Sequence, residues 1–272
     1  MPDFDPFVAT ALAAADAARA VTTRHFRAAL DVASKSDRSP VTVADFEAER
    51  CIKDIILGRH PRHSFIGEET GETGGETGGA RTGAGDNGDN GDEWRWVVDP
   101  IDGTKSFATG NPTFGTLIAL LHRGRPVIGV IDHPALDERW LGVAGRAATH
   151  NGAPCATADA VRLADASLYA TSLDIFAGPA LAAFNRLSAA CKFRVFGGDC
   201  YCYGLLARGF TDLVCEASLN AHDYMALIPV VEGAGGVITD WQGAPLTLHS
   251  SGGVLASANR DLHQAALAEL NR

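Results

Sequence analysis

The sequence predicts an α/β fold, α+β in its first half and α/β in its second, on three observations. Residues 6–33 are rich in Ala, Leu and Val with polar residues at helical intervals, which predicts one long helix or two short ones. Apolar runs at 114–121, 127–131 and 139–143 are separated by turn signals such as Arg123-Gly124-Arg125-Pro126, which predicts an antiparallel meander. From residue 167 onward strand-like and helix-like runs alternate, favouring a largely parallel sheet flanked by helices. At 272 residues the chain can bury a large core and is read as a single domain of two halves, 1–150 and 151–272.

Composition narrows the function classes. A formal charge of -10 argues against a nucleic-acid partner, because no basic cluster offsets the repulsion from phosphate. An acidic chain that handles an anionic phosphate needs cations to do so. Cys51, Cys155, Cys191, Cys200, Cys202 and Cys215 form no Cys-x-x-Cys pair and have no His at zinc spacing, so free thiols in a reducing cytoplasm are expected. No targeting segment is read at the N-terminus, and no apolar run is long enough to span a bilayer, so no membrane partner is expected.

Arg24 and His25 fall in the first helical run and are read as scaffold. The polar stretch 35–40 suits a mobile lid. A second helix follows residue 41, with Ala44, Ala48, Cys51, Ile52, Ile55 and Ile56 on one face, a Thr42/Asp45 capping pair at its start and Gly58 at its close. Residues 63–66 form a short strand delivering Gly67-Glu68-Glu69. Residues 70–93 repeat Gly, Glu, Thr, Asp and Asn with nothing apolar to bury, which predicts a long flexible loop. Its Asp86–Asp92 run lacks the ligand spacing of an EF-hand. Residues 94–98 are a buried strand, expected to end where Pro100 forbids ladder pairing. Asn151-Gly152 marks a tight turn, after which the chain joins its second half.

In that half, strands are expected at 167–172, 193–196, 211–216, 237–240 and 254–257, and helices at 178–190, 199–208, 222–234 and 259–270. Pro229 should kink or interrupt the third of these helices. Asp199 starts a helix after Gly197-Gly198, so its plain structural role is N-capping.

The chemistry centres on Asp99-Pro100-Ile101-Asp102-Gly103-Thr104-Lys105-Ser106-Phe107. Asp99 and Asp102, with the Ile101 carbonyl between them, offer hard oxygen ligands to Mg2+, and the amides of Gly103 and Thr104 could receive a phosphate. An Asp-x-x-Asp pair by itself usually marks a solvated turn. Three further acidic stretches change that reading: Ser64-Phe65-Ile66-Gly67-Glu68-Glu69, Pro40-Val41-Thr42-Val43-Ala44-Asp45, and Glu216 followed by Asp223. Together these resemble the inositol monophosphatase family of Mg2+-dependent phosphatases over nearly the whole chain. The strings Asp102–Phe107, Phe114-Gly115-Thr116-Leu117-Ile118-Ala119-Leu120 and Gly197-Gly198-Asp199-Cys200-Tyr201-Cys202-Tyr203 resemble its histidinol-phosphate phosphatase branch. The separation of Glu68 from Asp99 is longer than in that family.

The resemblance implies a layered α-β-α-β-α sandwich and a homodimer acting on a small phosphorylated metabolite. It implies two or three Mg2+ held by Glu68, Asp99, the Ile101 carbonyl, Asp102 and Asp223, with Asp45, Thr104 and Glu68 as catalytic residues. Asp45 would pair with Thr104 to orient the attacking water. Substrate would contact Asp102, Gly103, Thr104, Gly197, Gly198, Asp199, Glu216 and Asp223. Histidinol phosphate carries an ammonium and an imidazole, so Asp199 and Glu216 suit it better than they suit inositol. Inositol 1-phosphate and 3'-phosphoadenosine 5'-phosphate are the alternative substrates, and a catalytically silent regulatory binding protein is the alternative of another class.

Overall fold

The computed structural model describes residues 3–28, 33–34, 40–74, 93–159 and 162–272. Helix α1 (Asp5–His25) is followed by a short antiparallel pair, β1 (Ala33–Ser34) and β2 (Pro40–Val41), and by α2 (Val43–Arg59). The helix expected over residues 6–33 ends at His25. Phe26 turns to an extended conformation, and its ring packs 4.8 Å from that of Phe114, so a tertiary contact overrides local propensity. Residues 35–39, most of the expected lid, and residues 75–92 of the expected loop lie outside the described residues.

The first sheet contains β3 (Ser64–Gly67), β4 (Gly71–Gly74), β5 (Trp94–Asp102), β6 (Gly115–His122), β7 (Arg125–His133), β8 (Glu138–Val143), β9 (Thr149–His150) and β10 (Ala153–Pro154), with α3 (Thr104–Thr109) between β5 and β6. Its order is β10-β9-β8-β7-β6-β5-β3-β4. The expected meander is present. Asn151 and Gly152, with φ of 47° and 79°, turn the β9–β10 hairpin. Strand β4 falls where a loop was expected. It returns antiparallel along β3 and is fixed by backbone pairing and by Lys53 Nζ on Thr73 Oγ1 at 2.8 Å, neither of which composition reveals.

The second sheet is built from β11 (Ser167–Ala170), β12 (Phe193–Phe196), β13 (Leu213–Glu216), β14 (Val237–Thr239) and β15 (Val254–Ser257), in the order β12-β11-β13-β15-β14. Helices α4 (Gly178–Ala190), α5 (Tyr201–Ala207), α6 (Ala221–Tyr224), α7 (Leu227–Gly233) and α8 (Arg260–Leu270) accompany it. The sheet is mixed rather than largely parallel. β11 runs parallel to both its neighbours, whereas β15 is antiparallel to β13 and β14, because no crossover helix joins β14 to β15. The helix expected over 222–234 is two helices. Their break at Met225 and Ala226 follows from Pro229, which has no N–H for the Met225 carbonyl four residues back.

Alternation along the strands sets the layers. Trp96, Val98, Ile118, Leu120, Ile128 and Val130 face the small residues of α1 and Ile52 and Ile56 of α2. Val97, Leu117, Ala119 and Ile131 face the opposite way, onto Tyr203, Leu206, Met225 and Val230, which also cover Val214 and Ala256 of the second sheet. Beyond that sheet, Leu213, Cys215 and Leu255 meet Phe184 and Leu187 of α4 and Leu262 and Ala266 of α8. The result is an α-β-α-β-α sandwich whose middle helical layer, α5 to α7, is shared by both sheets.

That shared layer sits directly on backbone. Gly129 and Gly142 are opposite one another on β7 and β8, and a Cβ on either would overlap the main chain of Ala226 or Pro229. Gly129→Ala or Gly142→Ala is expected to destabilise the protein by about 3 kcal/mol, since a helix and not a side chain must move. Urea unfolding checks this: an unchanged midpoint would show that α7 shifts outward freely.

Candidate active site

The site is built at the end of β5. Asp99 pairs with Leu117 and Asp102 with Gly115, so three steps on β5 match two on β6. Residues three apart in a regular strand face opposite sides; the extra residue of this bulge brings the two carboxylates back to one side. Pro100, expected to end the strand, lies within the bulge, where no ladder N–H is needed. Its carbonyl accepts Thr116 Oγ1 at 2.8 Å. Ile101 is fully buried against Ala44, Phe107 and Phe114 and anchors the loop. The Ile101 N–H donates to Asp99 Oδ1 at 3.0 Å, and Thr104 Oγ1 donates to the Ile101 carbonyl at 3.2 Å. Gly103, at φ 80°, starts α3 in a left-handed conformation.

Parallel pairing of β3 with β5 sets Gly67 opposite Val98 and so brings Glu68 beside Asp99. The turn that carries Glu68 is gripped by Glu49, whose fully buried carboxylate accepts the Glu69 N–H at 2.8 Å and the Thr70 N–H at 2.9 Å. Gly67 must lack a side chain because Glu49 occupies the space a Cβ would need. Sequence reading did not single out Glu49. Its available signal was position: it lies one helical turn beyond Asp45, on the same face as Ala48 and Ile52.

Asp45 caps α2 as the sequence suggests: Oδ2 accepts the Thr42 N–H at 2.8 Å and Thr42 Oγ1 at 2.6 Å. Its Oδ1 is buried with no hydrogen-bond partner among the described residues. Burial raises its carboxyl pKa, against the Thr42 bonds that lower it. The Asp45–Thr104 hydrogen bond that the resemblance implies is not formed, because the Thr104 hydroxyl is engaged by the Ile101 carbonyl.

Helix α6 supplies Asp223, whose Oδ2 accepts the Asn220 N–H at 2.6 Å in a second capping box. Ligand atoms of Asp99, Asp102 and Asp223 lie within 4.8 Å of one another, and so do those of Glu68, Asp99 and His222. His222, which precedes Asp223 in the chain, is thus brought into the acidic cluster. Burial, then Glu68, Asp102 and Asp223, hold the Asp99 carboxyl well above the usual range. Burial, then Asp199 and Asp223, do the same to Asp102, and burial raises Asp223. Among the described residues no Lys or Arg forms an ion pair with Asp99, Asp102 or Asp223. Clustered carboxylates that lack a cationic side chain, with an imidazole at the edge, fit a hard divalent cation.

The second half closes the site. The Cys200 N–H donates to Asp102 Oδ2 at 2.7 Å, joining the start of α5 to the end of β5. Cys200, not Asp199, is the N-cap of α5. Asp199 takes a left-handed φ of 44°, and its side chain crosses to α3 instead of capping its own helix. Gly197, at φ 85°, and Gly198, packed on Cys202 and Tyr169, form the turn that leads to it. Glu216 is buried, its Oε1 accepting the Thr171 N–H at 2.7 Å; burial pushes its carboxyl up to about 8, and the charges of Asp199 and Asp223 add to the shift. The structure thus brings Glu68, Asp99, Asp102 and Asp223 together, with Asp199 and Glu216 on the side formed by the second half.

Comparison with known proteins identifies the family of the chain. The model of the inositol monophosphatase family matches residues 3–272. The chain is 43% identical to the chloroplastic bifunctional phosphatase IMPL2 of Arabidopsis thaliana, over 98% of this chain and 76% of that one. It is 35% identical to the histidinol-phosphatase of Mycobacterium tuberculosis, over 96% of each. Among solved structures, an inositol monophosphatase from Zymomonas mobilis superposes with a TM-score of 0.85 at 37% identity, covering 100% of both chains. With the family model spanning nearly every residue, the chain belongs to the inositol monophosphatase family of phosphatases.

Proposed function

We propose that the protein is a Mg2+-dependent phosphomonoesterase whose substrate is histidinol phosphate. The observation that carries the reading is the convergence of Asp99, Asp102 and Asp223, joined at Asp99 by Glu68, in a buried site with no cationic side chain paired to the three aspartates among the described residues. Glu68, Asp99, the Ile101 carbonyl, Asp102 and Asp223 form the ligand set. Bound there, Mg2+ would supply Lewis-acid polarisation of the phosphoryl group, an acidified water and charge neutralisation at the leaving alkoxide.

The chain's own residues do the rest. The amides of Gly103 and Thr104, at the start of α3 where no intrahelical acceptor exists, receive phosphoryl oxygens. Thr104 now donates to the Ile101 carbonyl, which is itself in the proposed ligand set. Asp45 Oδ1, buried with no hydrogen-bond partner among the described residues, would accept the Thr104 hydroxyl once the Ile101 carbonyl is engaged elsewhere, which would leave the Thr104 oxygen lone pairs to orient water. Glu68, at the edge of the cluster, accepts from the same water. On the other side, Gly197 and Gly198 let the alcohol half approach the backbone, and Asp199 and Glu216 receive its cationic end. The histidinol-phosphatases among the relatives support this choice of ester. The relatives also include a bifunctional phosphatase and an inositol monophosphatase, so the choice of ester is tested against inositol phosphate.

Asp99→Asn is expected to lower kcat roughly a hundredfold or more, the scale of losing one preorganised electrostatic partner. It should also raise the Mg2+ concentration needed for half-maximal rate. Phosphate release from L-histidinol phosphate, myo-inositol 1-phosphate and 3'-phosphoadenosine 5'-phosphate measures the preference directly. A preference for either of the latter two would leave the metal chemistry standing and sink the assignment of the rim. No turnover on any ester would favour a silent binding protein.

The metal-free protein should respond to pH in a defined sense. Asp99, Asp102, Asp223 and Glu216 have folded-state pKa values above their unfolded ones, so between those limits the folded state holds more protons. Stability contributed by these groups is present in mild acid and lost as pH rises through the folded values, up to about 8 for Glu216. Thermal midpoints in EDTA should therefore fall from pH 5 to pH 8 by more than those in Mg2+ do. Parallel curves would show that the cluster does not bind the cation.

A further inference from the structure

Asp199 is held by residues that come from a different part of the chain. Its Oδ2 accepts Ser106 Oγ at 2.5 Å and Thr113 Oγ1 at 3.2 Å, both from the α3 region that follows the Asp102–Thr104 loop. Ser106 Oγ in turn accepts from Asn111 Nδ2 at 3.3 Å, which fixes the hydroxyl that grips the carboxylate. Gly103 makes room for this arrangement. A Cβ there would lie 2.7 Å from Asp199 Cγ and Oδ2, so the carboxylate rests directly over the loop proposed to hold phosphate. The backbone of Asp199 is itself committed, at φ 44° in a region that Asp tolerates better than most residues.

Every side-chain hydrogen bond to this carboxylate falls on one oxygen. Among the described residues none reaches Oδ1, and the residue is only partly buried. Two hydroxyl donors on one oxygen fix the plane of a carboxylate and leave its second oxygen aimed in one direction. Neither hydroxyl carries charge, so the clamp orients Asp199 without neutralising it. The Glu216 carboxyl lies in the same region, where burial and then the neighbouring charge of Asp199 raise its pKa.

We propose that Ser106 and Thr113 are specificity-determining positioning residues, which hold Asp199 so that its Oδ1 receives an ammonium or imidazolium group on the alcohol half of a phosphomonoester. The inference rests on the reading of Asp199 as a substrate contact and extends it to the two residues that aim it. The phosphate and the cation of one substrate are then gripped by adjoining parts of one loop and helix: Gly103 and Thr104 take the phosphate, while Ser106, two residues on, sets the carboxylate that reads the alcohol. A neutral alcohol gains nothing from that carboxylate and must still accommodate its charge, so the clamp selects against inositol-like esters as well as for cationic ones.

The test compares kcat and KM for L-histidinol phosphate and for glycerol 2-phosphate, with Mg2+, in the wild type, Asp199→Asn, Ser106→Ala with Thr113→Val, and Ser106→Thr. It also measures binding of L-histidinol to the Mg2+-loaded proteins by calorimetry. In the wild type kcat/KM favours the cationic ester. In the double variant that ratio should fall about tenfold through KM, with a matching weakening of L-histidinol, the effect of loosening one charge-assisted contact. Ser106→Thr, which keeps the hydroxyl, should retain most of the preference. It also serves as the reporter if the double variant does not fold: a ratio as low as that of Asp199→Asn would then overturn the clamp. Equal losses on both esters, or an unchanged ratio, overturn the inference while the substrate assignment stands. A wild type without preference for the cationic ester overturns both.

Discussion

Mutual repulsion among Asp99, Asp102 and Asp223, with Glu68 alongside, is the constraint on which the rest of this structure depends. Asp99, Asp102 and Asp223 are raised in pKa by burial and by neighbouring carboxylates, so their like charges oppose their approach. The fold holds them with fixed backbone dipoles instead. The Ile101 N–H meets Asp99, the Cys200 N–H meets Asp102 and the Asn220 N–H meets Asp223. These donors come from a bulge and two helix starts, all anchored in packed core. The cluster is preorganised for a cation before one arrives, which is the arrangement that electrostatic catalysis of phosphoryl transfer calls for.

The five layers explain why these donors can converge. Helices α5 to α7 lie between two sheets, so their N-terminal ends and connecting turns reach β5, and β13 of the second sheet supplies Glu216 on that same side. Glycines at 129 and 142 let this layer rest on bare backbone, which fixes the depth at which α6 presents Asp223 and His222. On the opposite face α2 carries Asp45 and Glu49 one turn apart, the first capping its helix and the second gripping the turn after β3. Structural and proposed catalytic roles coincide in these residues: the bond that caps a helix also fixes a carboxylate at the site.

The two ends of the proposed substrate meet different parts of the chain. The phosphate end is formed by residues 99–104, where bulge, carbonyl and helix start are set by local backbone chemistry. The alcohol end is formed by Asp199 and Glu216, whose placement depends on hydrogen bonds that cross to Ser106, Thr113 and Thr171. Under the proposed function, the surroundings of Asp199 would bear on substrate choice more than the carboxylate cluster does.

Much of this was legible in order along the sequence, because the signals are local. Thr42 with Asp45 specified a helix start, 178–190 and 193–196 were bounded by their own breakers, and the meander announced itself in apolar runs divided by turns. The acidic motifs and their order marked the residues that gather at the site. Tertiary structure decided what local pattern does not encode. It carried β5 through Pro100 as a bulge, because pairing with β6 outweighed the proline signal. It added β4 to a segment with nothing apolar to bury, made the second sheet mixed, placed Glu49 under the turn that carries Glu68 and drew His222 to the cluster. It also turned Asp199 from a helix cap into a clamped carboxylate, since its hydroxyl partners Ser106 and Thr113 lie 93 and 86 residues earlier in the chain. Propensity and capping act over a few residues and can be read from them, whereas a register shift or a hydrogen bond between distant segments exists only once the layers have packed.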